Sequence, residues 1–182
     1  MNGTSDDSTD HDRIELAYPA VFADVREAVR VSLRAARWWR VLRWVAYVPA
    51  VLALLIAVLE LLLPGEPDAG TVAEMTGLAV AAVAVLHLTA WAVAWAVFRA
   101  VRGQGEARAV VDAEGGRWTA RDIQQTIRWG LLPRYVETDR LFVLLTPRNT
   151  GSGFAYLPKH GLAGPADADR LRALLDRHSS RV

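Results

Sequence analysis

The sequence contains no cysteine, which excludes disulfides, thiolate metal sites, cysteine nucleophiles and thiol relays. Lys159 is the only lysine, so arginine supplies the rest of the strong base, and we read this as compositional bias without functional weight. Histidine is sparse too: His11, His87, His160 and His178 are scattered, with no pair four residues apart and no HExxH, so no metal site is expected. Gly103-Gln104-Gly105 and Gly151-Ser152-Gly153 lack the further glycine and the strand-to-helix setting of a phosphate cradle. No GxSxG elbow occurs, and Ser152 has no neighbouring histidine or acid to complete a triad. These absences leave no expected catalytic residue and no expected cofactor; the chain is expected not to be an enzyme.

What is abundant is apolar. Hydrophobic residues make up 52% of the 182 residues and charged residues still 23%, with mean hydropathy +0.15, a combination that requires the two classes to be segregated along the chain. Two runs satisfy this, at about 41–63 and 77–98, each near the ~20 residues that cross a bilayer core. The Leu, Ile and Val residues of the first run sum to roughly −5 kcal/mol of insertion free energy, which outweighs the one carboxylate near its edge, Glu60. Trp38, Trp39 and Trp44 form an aromatic belt at its start, Pro49 is expected to bend it and Pro64-Gly65 to end it. The second run is rich in alanine, and Gly77, Ala81, Ala84 and Ala92 are expected to pack on the first run or on a second copy.

Charge is uneven although the net value is only +1. Arg26, Arg30, Arg34, Arg37, Arg40 and Arg43 precede the first run, Arg99, Arg102 and Arg108 follow the second, and only Glu66, Asp68 and Glu74 lie between. The positive-inside bias therefore predicts a multi-pass protein of the cell membrane with both termini cytoplasmic. Residues 1–12 read as a disordered acidic tail. Residues 13–40 read as a short strand ending at Pro19 and a basic amphipathic helix with Phe22, Val25, Val29, Leu33 and Ala36 on one stripe. Residues 103–182 read as a cytoplasmic β domain: strands at 107–112, 117–129, 135–138, 141–145 and 154–157, with an amphipathic helix at 166–178. The predicted fold class is thus an α+β membrane protein, a two-helix transmembrane hairpin plus a small antiparallel β domain capped by a C-terminal helix.

The order of these elements resembles the YcxB-like family of bacterial membrane proteins. The resemblance is carried by Asp112 to Gly115 at the first turn, Trp129, Tyr135-Val136-Glu137-Thr138, Leu141-Phe142-Val143-Leu144 and Leu157-Pro158-Lys159. One departure is His160, where an arginine often follows the Pro-Lys pair in this family. The resemblance implies a C-terminal domain similar to pleckstrin-homology-like folds and carries no activity with it.

Candidate functional residues fall in two groups. Lys159 and His160, with Arg148 across the loop, form a basic patch suited to a lipid phosphate or a partner, lysine acting there as a point charge. Glu60 and His87 are ionisable groups inside the apolar runs, where such groups are functional candidates. Folding the hairpin about its loop sets them on the order of 10 Å apart along the helices, so they are not expected to touch within one chain. The leading expectation is a non-catalytic, membrane-anchored interaction or sensing module whose partners are membrane lipids, a protein or a second copy, and not nucleic acid. The alternative is an oligomeric small transporter or channel built from two-span hairpins.

Overall fold

The computed structural model describes residues 13–63, 68–147 and 153–182. The acidic tail at 1–12, the Pro64-Gly65 stop and Arg148 lie outside the described residues. The chain divides into two units, one of residues 34–93 and one combining residues up to Leu33 with residues 94–182.

The first unit is helical. Helix α2 (Arg37–Leu62) has mean hydropathy 2.5 in its most apolar stretch, and the long α3 (Ala69–Arg102), which enters this unit, has 2.0. At 1.5 Å per residue they extend roughly 39 and 51 Å, so each is long and apolar enough to cross a membrane. Their large apolar side chains face outward: Val41, Val45, Leu55, Leu62, Leu78, Val80 and Leu88 are all exposed. Helix α2 continues through Pro49. Ala50, Ala53 and Ala57 of α2 are buried, as are Leu86 and Ala94 of α3, while of the small residues singled out on α3 Ala84 is half-buried and Gly77, Ala81 and Ala92 are exposed.

Helix α3 begins earlier than the apolar run because Asp68 caps it. The Asp68 carboxylate accepts the N–H of Gly70 at 3.0 Å and of Thr71 at 3.4 Å, and the Thr71 hydroxyl at 2.7 Å, satisfying donors that a first turn leaves unpaired. The basic amphipathic stretch is likewise two helices, not one. Helix α1 (Phe22–Ala35) stops where Ala36 adopts an extended conformation, φ −74° and ψ 132°, so Trp38 and Trp39 belong to α2. The buried face of α1 is Asp24, Val25, Ala28, Val29, Ser32 and Leu33.

The second unit holds two four-stranded sheets rather than one small sheet. In the first, β1 (Ile14–Pro19), β2 (Glu106–Val111), β3 (Gly115–Thr119) and β4 (Gln124–Arg128) follow in order, all antiparallel. Strand β1, from before the helices, thus pairs directly with β2, which follows them. The segment 117–129, read from sequence as one extended stretch, is a hairpin: Ala120 N–H donates to the Ile123 carbonyl at 2.8 Å. No glycine or proline lies within residues 120–123, and Asp122 is the one turn-favouring residue there. In the second sheet β7 (Phe154–Pro158), β6 (Leu141–Leu145) and β5 (Arg134–Glu137) are antiparallel, and a two-residue strand β8 (Ser180–Arg181) adds in parallel to β5. Strand β6 lies inside this sheet and all five of its residues are buried, as its unbroken Leu-Phe-Val-Leu-Leu run requires.

Helix α4 (Pro165–His178) starts with proline at its first position, where a missing N–H costs nothing. It buries Leu171, Leu174 and Leu175 in a core shared with both sheets, through Leu16, Tyr18 and Val111 of the first and Tyr135, Phe142, Leu144 and Leu157 of the second. Each leucine so buried contributes about 1.5–3 kcal/mol. The described architecture is therefore α+β, with two sheets, antiparallel but for the short β8, closed by a C-terminal helix, and two long apolar helices.

Candidate functional site

The residues singled out in the sequence do not converge on one site. Glu60 is half-buried on α2 and His87 is exposed on α3, and no hydrogen bond or ion pair joins them among the described residues. His87 Nδ1 lies 2.9 Å from the Val83 carbonyl oxygen one turn back, which assigns the proton to that nitrogen. Thr89 does the same with its hydroxyl, donating to Val85 at 2.7 Å. Both polar groups are satisfied within their own helix.

Lys159 and His160 sit in a 3-10 turn at Lys159–Gly161, directly after β7, and each faces a different carboxylate. Lys159 Nζ is 2.9 Å from Glu137 Oε1, and His160 Nδ1 is 3.6 Å from Asp24 Oδ2. Neither acid was a candidate in the sequence. They are the two charged centres of this unit.

Glu137 ends β5 with only 7% of its side chain exposed, yet it is gripped on every side. Arg172 of α4 takes it bidentately, Nη2 to Oε1 at 2.7 Å and Nε to Oε2 at 2.9 Å, and Arg181 of β8 approaches Oε2 at 3.1 Å. Asp169 holds Arg172 from one turn earlier on α4. Below them lies Phe142, opposite Glu137 in the ladder, with Lys159 Nζ 5.1 Å and the Arg172 guanidinium 6.0 Å from its ring centre. The hydrogen bonds from Arg172, reinforced by Lys159 and opposed by burial, lower the Glu137 pKa from 4.5 to about 2. The same pairing raises Arg172 above its ordinary value. Glu137 thus stays ionised and joins β5, β7, α4 and β8 at one point. It offers no proton to chemistry near neutral pH.

Asp24 is the buried acid of α1, fully enclosed. Its Oδ1 accepts from Arg140 Nη2 at 2.8 Å, tying α1 to the turn between β5 and β6, while Oδ2 has no hydrogen bond and faces His160. A sequence signal for it existed. Asp24, Ala28 and Ser32 recur every four residues beside Val25, Val29 and Leu33, so the buried face carries a carboxylate that demands a cation. Its charge, after burial, helps push Tyr156 up to about 12.

The motif residues of the C-terminal part are knitted together. Asp112 Oδ1 accepts the N–H groups of Glu114 and Gly115, shaping the β2–β3 turn, and its carbonyl accepts Trp129 Nε1–H at 3.1 Å. Trp129 stacks on His178 at 5.2 Å, and the buried Tyr135 donates its hydroxyl to Asp176. Burial, and then that acidic acceptor, raise the Tyr135 pKa to about 12.

Neither a curated protein nor a solved structure matches the chain. Residues 111–175 match the family described as YcxB-like protein, a stretch that begins in β2, ends in α4 and contains Asp112, Trp129, Glu137, Lys159 and Arg172. This segment of the chain is therefore similar to the YcxB-like family.

Proposed function

We propose that the protein is a membrane-anchored, non-catalytic interaction or sensing module, held by a two-helix transmembrane hairpin and presenting its sheet unit to the cytoplasm. The observation that carries this reading is the ladder between β1 and β2, from Ile14 opposite Val111 to Pro19 opposite Glu106. One strand precedes the two apolar helices and the other follows them, so both ends of the hairpin meet on one side. A hairpin that crosses the bilayer twice satisfies this condition. The arginine flanks support a cytoplasmic placement of that side, and the outward-facing apolar side chains of α2 and α3 support lipid as their surroundings.

Two antiparallel sheets closed by a C-terminal helix support a pleckstrin-homology-like reading of the sheet unit. The ionised groups at its centre act as fasteners: Glu137 and Asp24 spend their charge on arginines and on the 159–160 turn, which suits a scaffold better than an acid–base pair. Lys159 is engaged by Glu137, so a lipid phosphate at that point has to share a cation already paired. An oligomeric transporter or channel is the second reading, favoured by His87 lying exposed on a helix whose Gly77, Ala81 and Ala92 are also exposed.

Photo-crosslinking in native membranes from a probe at Glu114, on the exposed β2–β3 turn, with a probe at Asp68 between the helices as control, tests the reading. A discrete adduct with a second protein at Glu114 that is absent at Asp68 is expected. Adducts only between copies of the chain, strongest from a probe on α3, would overturn it in favour of the transporter reading.

A further inference from the structure

The sheet unit has a cleft that neither charged centre uses. It holds about 400 Å³ and is walled by Val97 and Val101 from the end of α3, Trp118 and Ile127 from the first sheet, and Phe154 and Tyr156 from the second. This volume lies within the roughly 300–1,000 Å³ of small-molecule sites. The register explains its shape. Tyr18, Ala107, Trp118, Gln125 and Ile127 share one face of the first sheet, and a Cβ on Gly116 of that face would stand 2.3 Å from the Trp118 ring. Glycine at 116 therefore lets the indole lie flat on the sheet, and the small Ala107 keeps the space beside it open.

The chemistry of the wall is selective. Among the described residues lining the cleft, none is Asp, Glu, Lys, Arg or His. A charged ligand would lose its water there with no counter-charge to replace it, a cost of several kcal/mol. Polar groups are nevertheless present: the amides of Gln104 and Gln125 and the Thr119 hydroxyl. Trp118 Nε1 is closed off from water, with the Tyr18 phenol beside it, so the indole offers the cleft its ring and not its N–H.

From the aromatic walls, the polar amides and hydroxyl beside them and the absence of charge among the described lining residues, we propose that this cleft binds an uncharged amphiphile. Its apolar part lies between Val101, Ile127 and Phe154, and a carbonyl or hydroxyl oxygen meets the Gln104, Gln125 and Thr119 side. The source is the bilayer: Val97 and Val101 are on the last turns of the helix that begins as an apolar span, so the site takes its ligand from the membrane. That source, though not the site itself, rests on the membrane reading above.

The test uses the full chain in lipid nanodiscs containing a monoacylglycerol whose chain carries a diazirine and an alkyne, with the free fatty acid bearing the same groups as a charged comparator. After illumination, adducts are mapped by peptide. The neutral probe is expected to label peptides around Val97–Val101, Trp118–Ile127 and Phe154–Tyr156, and the charged comparator is not. Filling the cleft from two different elements, by Val101→Trp and separately by Ala155→Trp, is expected to cut this labelling about tenfold while adducts on residues 41–93 persist. Labelling confined to residues 41–93, labelling that survives both filled variants, or equal labelling by the fatty acid would overturn the proposal. Cleft adducts without any on residues 41–93 would support the site and overturn the membrane reading instead.

Discussion

Replacing Glu137 by glutamine keeps the shape of the side chain and removes the charge on which Arg172, Lys159 and Arg181 converge. The folded carboxyl titrates at about 2 rather than 4.5, and each unit of pKa is worth about 1.36 kcal/mol. Water screens part of this, because the side chains of Lys159, Arg172 and Arg181 are 25%, 31% and 56% exposed. About 1–2 kcal/mol remains at neutral pH after that screening. The sign follows from the lowered pKa: the contribution is complete above the ordinary glutamate range and is lost as pH falls through it toward about 2. Hydrogen exchange of peptides covering 134–145, corrected for the intrinsic rate at each pH, measures the local opening free energy of β5 and β6 in the full chain. Wild type is expected to exceed Glu137→Gln by about 1–2 kcal/mol near neutrality, and the two are expected to converge as the wild-type carboxyl is protonated. A difference independent of pH across that window, or none at neutral pH, would refute the assignment of Glu137 as an ionised fastener.

The other charged centre predicts an asymmetry. Arg140→Ala leaves Asp24 buried with only His160 beside it and is expected to cost about 2–4 kcal/mol, whereas Asp24→Asn leaves a half-exposed guanidinium to water and is expected to cost about 1 kcal/mol, both read by denaturant unfolding. At Gly115 an added Cβ would stand 2.2 Å from the Ile127 carbonyl oxygen, a backbone atom with nowhere to go, so Gly115→Ala is expected to destabilise the β3–β4 hairpin by about 1–3 kcal/mol or more in the same assay. Tyr135→Phe removes the hydroxyl bound to Asp176 and is expected to cost about 1 kcal/mol, seen as faster exchange in α4.

Much of the fold was legible because its signals are local. The apolar runs at about 41–63 and 77–98 exceed what a soluble helix needs, and Leu141 to Leu145 reads as a strand from its apolar run of five. What escaped depends on partners distant in sequence. The first sheet is completed by β1, 87 residues before its ladder partner at the Pro19–Glu106 end, and no property of Ile14-Glu15-Leu16 names β2 as its neighbour. Lys159 reads from sequence as a point charge for phosphate because its partner Glu137 lies 22 residues away, on the far side of β6 in the sheet. The stripe of Phe22, Val25, Val29, Leu33 and Ala36 excludes Asp24, which stands about 100° from Val25 around the helix, while the folded helix buries a face wide enough to include it. The cleft beside Trp118 is a product of α3 meeting strands of both sheets and has no signature in any one of them.

The absence of cysteine makes the central claim directly testable with single-cysteine variants. Glu15→Cys on β1, Glu114→Cys on the β2–β3 turn and Asp68→Cys before α3 all place the thiol at an exposed position. Labelling with a membrane-impermeant maleimide in intact cells and in inverted vesicles reads the side of each. The account predicts that positions 15 and 114 react only in inverted vesicles and position 68 only in intact cells. Reaction of all three from one side, or of 15 and 114 from opposite sides, would contradict a sheet unit closed across a membrane-spanning hairpin.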